Sequence, residues 1–161
     1  MKTLIVYASQ YGTTEKCARM LAQSLAGGAD LLALKGGDSP DFSAYDAVVV
    51  GSSIRAGAVL KPARQFVQAH EAVLLKKRLG LYLCSGMSDE APAQFERNFP
   101  AALLEHTTAK AAFGGEFLQE KMGFFAKKVV QVVAGKSGKP LPQINGEAIR
   151  AFAAQMDATV E

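Results

Sequence analysis

The segment from residue 4 to residue 25 constrains the fold more than any other part of the chain. Its first five residues, 4–8, are an apolar run of strand formers with no polar side, which is typical of a strand buried on both faces of a parallel sheet. A short polar segment follows. Apolar residues then recur at helical spacing, at Cys17, Leu21 and Leu25. The segment therefore predicts a buried strand, a polar turn and an amphipathic helix.

The rest of the chain repeats this alternation of strand and helix patterns. Further strands are predicted at residues 31–34, 45–50, 79–84 and 109–113. Helical patterns separate them, one of them interrupted at Pro100, and the last contains Ile149, Phe152 and Met156. Such alternation favours parallel crossovers, so we predict an α/β fold with a five-stranded, doubly wound parallel sheet between two helical layers. A length of 161 residues suits one domain spanning 1–161.

Composition argues against several classes of function. The net charge of +3 is too mild for the concentrated basic surface of a nucleic-acid-binding domain. No window reaches the roughly 18 apolar residues of a membrane span, and no signal peptide is recognisable, so we expect a cytoplasmic location. His70 and His106 are isolated, so we expect no metal site. Cys17 and Cys84 lie within apolar patterns, which predicts two buried thiols in a reducing compartment.

The polar segment after the first strand, residues 9–14, has the chemistry of an anion site. Ligands of open parallel sheets bind outside the carboxyl ends of the strands, where the free amides of a helix N-terminus attract anions. The hydroxyls of Ser9, Thr13 and Thr14 add donors, and Gly12 allows close approach of the backbone. We interpret the segment as a cradle for a phosphoryl group that needs no lysine. A plain helix cap is the alternative, but it explains Thr13 or Thr14 and not Ser9 and Gly12 as well.

Known nucleotide-binding motifs restrict the class of ligand that this segment can bind. The segment lacks the G-x-x-x-x-G-K-[ST] pattern of a P-loop. Residues 135–137 are Gly-Lys-Ser, but position 130 is Val rather than Gly. No G-x-G-x-x-G follows the first strand, which argues against a dinucleotide. The sequence therefore predicts a mononucleotide.

The same segment resembles the phosphate loop of flavodoxin-type FMN domains. Their pattern T/S-x-x-G-x-T is matched here by Ser9, Gln10, Tyr11, Gly12, Thr13 and Thr14. The resemblance implies the strand order 2-1-3-4-5 and FMN as cofactor. It also implies that the loops after the third and fourth strands enclose the flavin ring. The corresponding residues are Ser52, Ser53, Ile54, Arg55, Ala56, Gly57, Ser85, Gly86 and Met87.

A narrower resemblance concerns residues 45–57, "YDAVVVGSSIRAG", which are similar to the G-[AS]-S-I-R-x-G core of flavodoxin-type, quinone-linked protoporphyrinogen oxidases. It implies an FMN-dependent oxidoreductase that passes electrons from an organic substrate to a quinone. Arg55 would contact a substrate carboxylate or the reduced flavin, or else form only a surface salt bridge. No residue stands out as a catalytic acid or base.

An electron carrier that docks to redox partner proteins is the first alternative, and a flavodoxin-like fold that has lost its cofactor is the second. Carrier flavodoxins are acidic overall, whereas this chain has a net charge of +3. They also usually flank the ring with Trp and Tyr, whereas this chain has no Trp and its loop at 51–57 has no aromatic residue. Residues 119–135, taken as a helix, combine an apolar stripe with lysines. Such a face suits peripheral contact with a membrane surface, where a quinone is found, or ordinary packing on the core.

Overall fold

The structure is a computed structural model that describes residues 1–85, 90–115 and 144–158. Its strands are β1 (Thr3–Ala8), β2 (Asp30–Ala33), β3 (Ala47–Arg55), β4 (Ala58–Val59), β5 (Arg78–Cys84) and β6 (Ala109–Ala112). Five of them form a parallel sheet in the order β2-β1-β3-β5-β6, and β4 pairs antiparallel with β3. The predicted order 2-1-3-4-5 is therefore confirmed for the five parallel strands, and β4 is an addition that the sequence pattern did not predict.

Helices cover both faces of the sheet and make the predicted three layers. They are α1 (Thr13–Ser24), α2 (Lys61–Leu74), α3 (Ala91–Asn98), α4 (Ala101–His106) and α5 (Gly146–Asp157). The apolar stripes of α1 and α5 pack on one face, and those of α2, α3 and α4 pack on the other. Pro100 stands at the start of α4 and separates it from α3, as its place in the sequence predicts.

The centre of the sheet is buried on both sides, because side chains alternate between the two helical layers. On β3, Val48 and Val50 pack against α2, while Val49 faces α1 and α5, and all three are fully buried. A glycine allows the close packing of α5: a Cβ atom at Gly80 would lie only 2.6 Å from Cζ of Phe152. Burying a ring of this size stabilises the fold by roughly 1.5–3 kcal/mol.

Strand β3 is longer than its sequence pattern indicates. The apolar run ends at residue 50, and the small residues after it predict a loop at 51–57, but β3 continues to Arg55. Ser52 and Ser53 have low strand propensity. They are nevertheless in the sheet because β5 pairs with β3 through Ser53 and β1 pairs with it through Ser52. Only the tip at 56–57 is a turn.

Two expectations fall on residues outside the part that the structure describes. These are the segment at 119–135 and most of the loop after β5. Within the described ranges, no helix combines the length and the apolar character that crossing a bilayer requires.

Candidate functional site

The β1–α1 loop, residues 9–14, leaves the carboxyl end of β1 and enters α1 through a left-handed turn. Gly12 has φ 96°, a conformation that costs an L-residue about 1–2 kcal/mol and glycine almost nothing. Its N–H donates to Oγ of Ser9 at 3.0 Å. The hydroxyl of Ser9 is thereby fixed as an acceptor on one side, while its own proton is available to a ligand.

The backbone amides in the first turn of α1 are the next part of the candidate site. Gly12 occupies the N-cap position without a side-chain cap, and the first helical bond runs from the N–H of Lys16 to the carbonyl of Gly12. The N–H groups of Thr13, Thr14 and Glu15 therefore have no hydrogen-bond partner in the described part of the chain. Free amides at a helix N-terminus attract anions. The residues that were predicted to hold an anion therefore offer backbone amides as well as hydroxyls as donors.

Thr14 joins this loop to the central strands. Its Oγ1 lies 2.6 Å from Oγ of Ser53 on β3, and its carbonyl accepts a hydrogen bond of 2.9 Å from the hydroxyl of Tyr82 on β5. Thr14 is fully buried. Its hydroxyl links the β1–α1 loop to β3, which are two of the predicted site segments. Gln10 and Tyr11 are exposed at the rim of the loop, with Nε2 of Gln10 donating to Tyr11 Oη at 3.3 Å.

The β3–β4 hairpin, residues 52–59, forms the second part of the site. At its base, the buried hydroxyl of Ser52 accepts from the N–H of Leu60 at 3.0 Å and donates to the carbonyl of Ser53 at 2.8 Å. At its tip, Ala56 has φ 52° and Gly57 has φ 79°. Positive φ at both central residues is the signature of a type I′ turn, which suits the twist of a two-stranded hairpin.

Helix α3 holds the tip of this hairpin through Asn98. Nδ2 of Asn98 donates to the carbonyl of Gly57 at 3.0 Å and to that of Gln94 at 2.8 Å, and its Oδ1 accepts from the N–H of Val59 at 3.1 Å. Gln94 is buried, and its Oε1 has no hydrogen-bond partner among the residues that the structure describes. Sequence analysis missed both residues. The available signal was two polar residues, four positions apart, on the apolar face of α3.

The remaining predicted residues differ in what the structure shows of them. Ile54 is half-buried and packs on the α2 and α3 side of the sheet. Arg55 is exposed at the end of β3 and forms no ion pair with another described residue. Ser85 follows β5, and its N–H donates to the carbonyl of Gly114 at 3.0 Å. The predicted residues at 86–87 lie outside the described ranges.

Two buried thiols lie beneath the β1–α1 loop. Cys17 and Cys84 are free and buried, as predicted, with their sulfur atoms 3.5 Å apart. The hydrogen bond to Cys17, with burial, raises the pKa of the Cys84 thiol well above its ordinary value, although Thr14 acts in the opposite direction. Burial also raises the pKa of Tyr82, so its hydroxyl stays a donor to Thr14. Both groups therefore remain neutral near pH 7.

Metal-ligating clusters are not part of this arrangement. No group of three or more His, Cys, Asp or Glu side chains that could hold a metal ion occurs among the described residues. The site consists instead of backbone amides and hydroxyls on one side and a clamped hairpin on the other.

Comparison with known families shows which family the chain belongs to. A model of the flavodoxin domain matches residues 4–141, which is most of the chain. The chain belongs to the flavodoxin domain family. The match begins in β1, before the β1–α1 loop, and extends past β6. Comparison with curated proteins gave no match.

Solved structures share the flavodoxin fold of this chain. Oxidised flavodoxin 2 from Bacillus cereus has a TM-score of 0.60 and 22% identity, with 97% of each chain covered. Oxidised flavodoxin 1 from the same organism has a TM-score of 0.51 and 14% identity, again with 97% of each chain covered. A flavoprotein in complex with FMN from Lactobacillus acidophilus has a TM-score of 0.54 and 16% identity, covering 69% of this chain and 92% of its own. The predicted flavodoxin-like fold is therefore confirmed.

Proposed function

We propose that this chain binds FMN and acts as an FMN-dependent oxidoreductase. The observation that supports FMN most directly is the start of α1. Gly12 has a left-handed backbone conformation there, and the amides that follow it have no hydrogen-bond partner among the described residues. A phosphate dianion satisfies several such donors at once and gains from the helix dipole. Membership of the flavodoxin domain family and the FMN complex of the Lactobacillus flavoprotein point the same way.

The residues divide into two groups in this proposal. The amides of residues 13–15 and the hydroxyl of Ser9 hold the phosphate, while Thr14 fixes their position through Ser53 and Tyr82. The β3–β4 hairpin and the segment after β5 flank the flavin ring. The fit is chemical, because the donors in the β1–α1 loop are neutral groups suited to a phosphate dianion.

The finer proposal concerns the substrate and the acceptor. When bound, FMN supplies the chemistry of accepting hydride equivalents from an organic substrate and passing electrons to a quinone or similar acceptor. A porphyrinogen is the substrate to test first, because of the resemblance at residues 45–57. The exposed cations Arg55, Lys61 and Arg64 suit a substrate with carboxylate groups. We further propose that residues 119–135 bring the protein to the membrane surface where a quinone is found.

A flavodoxin-type electron carrier is the second candidate. It is favoured by the composition of the β1–α1 loop and the β3–β4 hairpin, neither of which contains an Asp, Glu or His. A carrier needs no acid or base, whereas enzymes that protonate a substrate usually supply one. Its partners would be redox proteins rather than a small molecule.

Anaerobic redox titration of the purified protein loaded with FMN tests these proposals. We expect stoichiometric FMN binding, a single two-electron reduction and turnover of a porphyrinogen with a quinone analogue. Reduction in two well-separated one-electron steps, without turnover, would favour the carrier. A protein that binds FMN no more tightly than an unrelated protein of similar charge would disprove the proposal.

A further inference from the structure

We propose that Asn98 is a positioning residue of the flavin site, through which helix α3 fixes the β3–β4 hairpin against the flavin ring. This inference rests on the proposed function, because it assigns a role within that site. Asn98 does not itself have to touch the ligand. Its effect is transmitted through the backbone of Gly57 and Val59, which it contacts directly.

The orientation of the Asn98 amide is determined by its partners. Two carbonyl oxygens, those of Gly57 and Gln94, face Nδ2, and one N–H group, that of Val59, faces Oδ1. The flipped amide would place its oxygen against both carbonyls and its NH2 group against the N–H donor. Three of the four hydrogen bonds that an asparagine can make are therefore used, and they join one side chain to the hairpin tip, to β4 and to its own helix.

The hairpin needs such an external clamp. Strand β4 has only two residues, so it forms only two residue pairs with β3, and a short two-stranded hairpin is marginal in water. Its tip also includes Ala56 at φ 52°, a conformation that alanine rarely adopts. Ser52 secures the base of the hairpin, but the tip has no comparable bond except those from Asn98 in the part of the chain that the structure describes.

A second contact from α3 shows how closely the helix approaches the tip. A Cβ atom at Gly57 would lie 2.8 Å from Nη1 of Arg97, so a side chain at position 57 would displace the guanidinium. The tip backbone therefore lies close to the side chain of Arg97, which belongs to the last turn of α3. Movement of the tip requires breaking the Asn98 bonds and losing this contact.

Changes in the two halves of the proposed site are expected to affect the affinities for FMN and riboflavin differently. FMN and riboflavin share the ring, but only FMN has the phosphate. Since the hairpin is assigned to the ring, Asn98→Ala is expected to weaken FMN and riboflavin binding by the same factor, about tenfold, and to shift the absorption spectrum of bound flavin. Asn98→Asp keeps an acceptor for the N–H of Val59 and loses both donors, so we expect the same pattern from it.

Asn145→Ala is the matched control. Asn145 caps α5, where its Oδ1 accepts from the N–H of Ala148 at 3.1 Å, and it belongs to neither part of the site. Loss of an N-cap lowers protein stability, so this variant reproduces a purely structural defect. We expect it to leave both dissociation constants and the bound-flavin spectrum unchanged at temperatures where the protein is folded.

The outcomes separate this role from the proposed function. Wild-type affinities and spectra in Asn98→Asp would show that the bonds to Gly57 and Gln94 do not matter, and would overturn the positioning role. Loss of FMN affinity with unchanged riboflavin affinity would also overturn it, because the effect would then lie at the phosphate. If the wild-type protein bound neither flavin, the proposed function itself would be wrong and this role would fall with it.

Discussion

The β1–α1 loop and the β3–β4 hairpin both contain residues with positive φ, but these conformations are stabilised differently in the two regions. Both pass through the left-handed region, at Gly12 in the loop and at Ala56 and Gly57 in the hairpin. The loop uses glycine alone and closes its turn locally, with Ser9 bonded to the N–H three residues later. The hairpin places an alanine in the unfavourable conformation and is held from Asn98, which follows Gly57 by 41 residues.

The difference shows that one turn is stabilised by its own residues and the other by a residue distant in the sequence. A turn that is satisfied by its own residues depends little on the rest of the fold, and a change there acts directly on whatever the turn binds. A strained hairpin clamped from a distant helix depends on tertiary packing, and it can be loosened without touching the binding surface. We therefore expect mutations in the two regions to have different signatures: discrimination between FMN and riboflavin for the loop, and equal effects on both flavins for the hairpin.

The largest effect is expected from Gly12→Val. A β-branched residue does not tolerate φ 96°, so the loop must change shape and withdraw its amides from the phosphate. Loss of two charge-assisted hydrogen bonds, at about 1.5–3 kcal/mol each, corresponds to a decrease in FMN affinity of roughly 100-fold or more. Riboflavin affinity should fall much less. Fluorescence titration with both flavins measures the two constants.

Gly28→Val is the matched control for this change. Gly28 also has positive φ, 67°, but it lies in the turn between α1 and β2, and nothing is within 4 Å of a Cβ atom built there. The same backbone strain is thus introduced away from the site. If Gly28→Val weakened FMN binding as strongly as Gly12→Val, strain alone would explain the effect and the phosphate role of the loop would be wrong.

A smaller effect is expected from Ser52→Ala at the base of the hairpin. The change leaves the partly buried N–H of Leu60 without its acceptor, which costs about 1 kcal/mol of unfolding free energy. We expect FMN and riboflavin affinities to fall by similar factors. Denaturant unfolding and flavin titration measure the two effects. Ser24→Ala, which removes an exposed bond to the carbonyl of Met20, should change neither quantity.

The sequence predicts the locally encoded parts of the molecule well. The period of the apolar residues over 4–25 is sufficient to predict β1, the turn and α1, all of which the structure contains. The anion site expected from the residue types of the turn stays a prediction. The parts whose conformation depends on residues distant in the sequence could not be predicted in this way. Ser52 and Ser53 resemble loop residues because their strand conformation comes from pairing with β1 and β5. Asn98 gives no local signal of the hairpin that it clamps.

Thr14→Val tests the connection between the two regions. Valine has nearly the shape of threonine but cannot bond to Oγ of Ser53, so the link between the loop and β3 is broken without creating a cavity. We expect a loss of about 0.5–1.5 kcal/mol in unfolding free energy and a decrease of a few-fold in FMN affinity. Thr14→Ser keeps the hydroxyl and should retain wild-type affinity. Equal affinities in the two variants would show that the link has no role in binding.

The smallest effect, and the only stabilising one, is expected from Ala56→Asn. Asparagine tolerates the left-handed region and is preferred before glycine in type I′ turns, so the strain at φ 52° is reduced. We expect a gain of about 0.5–1 kcal/mol in unfolding free energy, measured by denaturant unfolding. Ala56→Gly should gain less, because glycine also makes the unfolded chain more flexible. If neither variant is more stable, the tip is not strained, and the hairpin needs Asn98 for reasons other than the cost of its own turn.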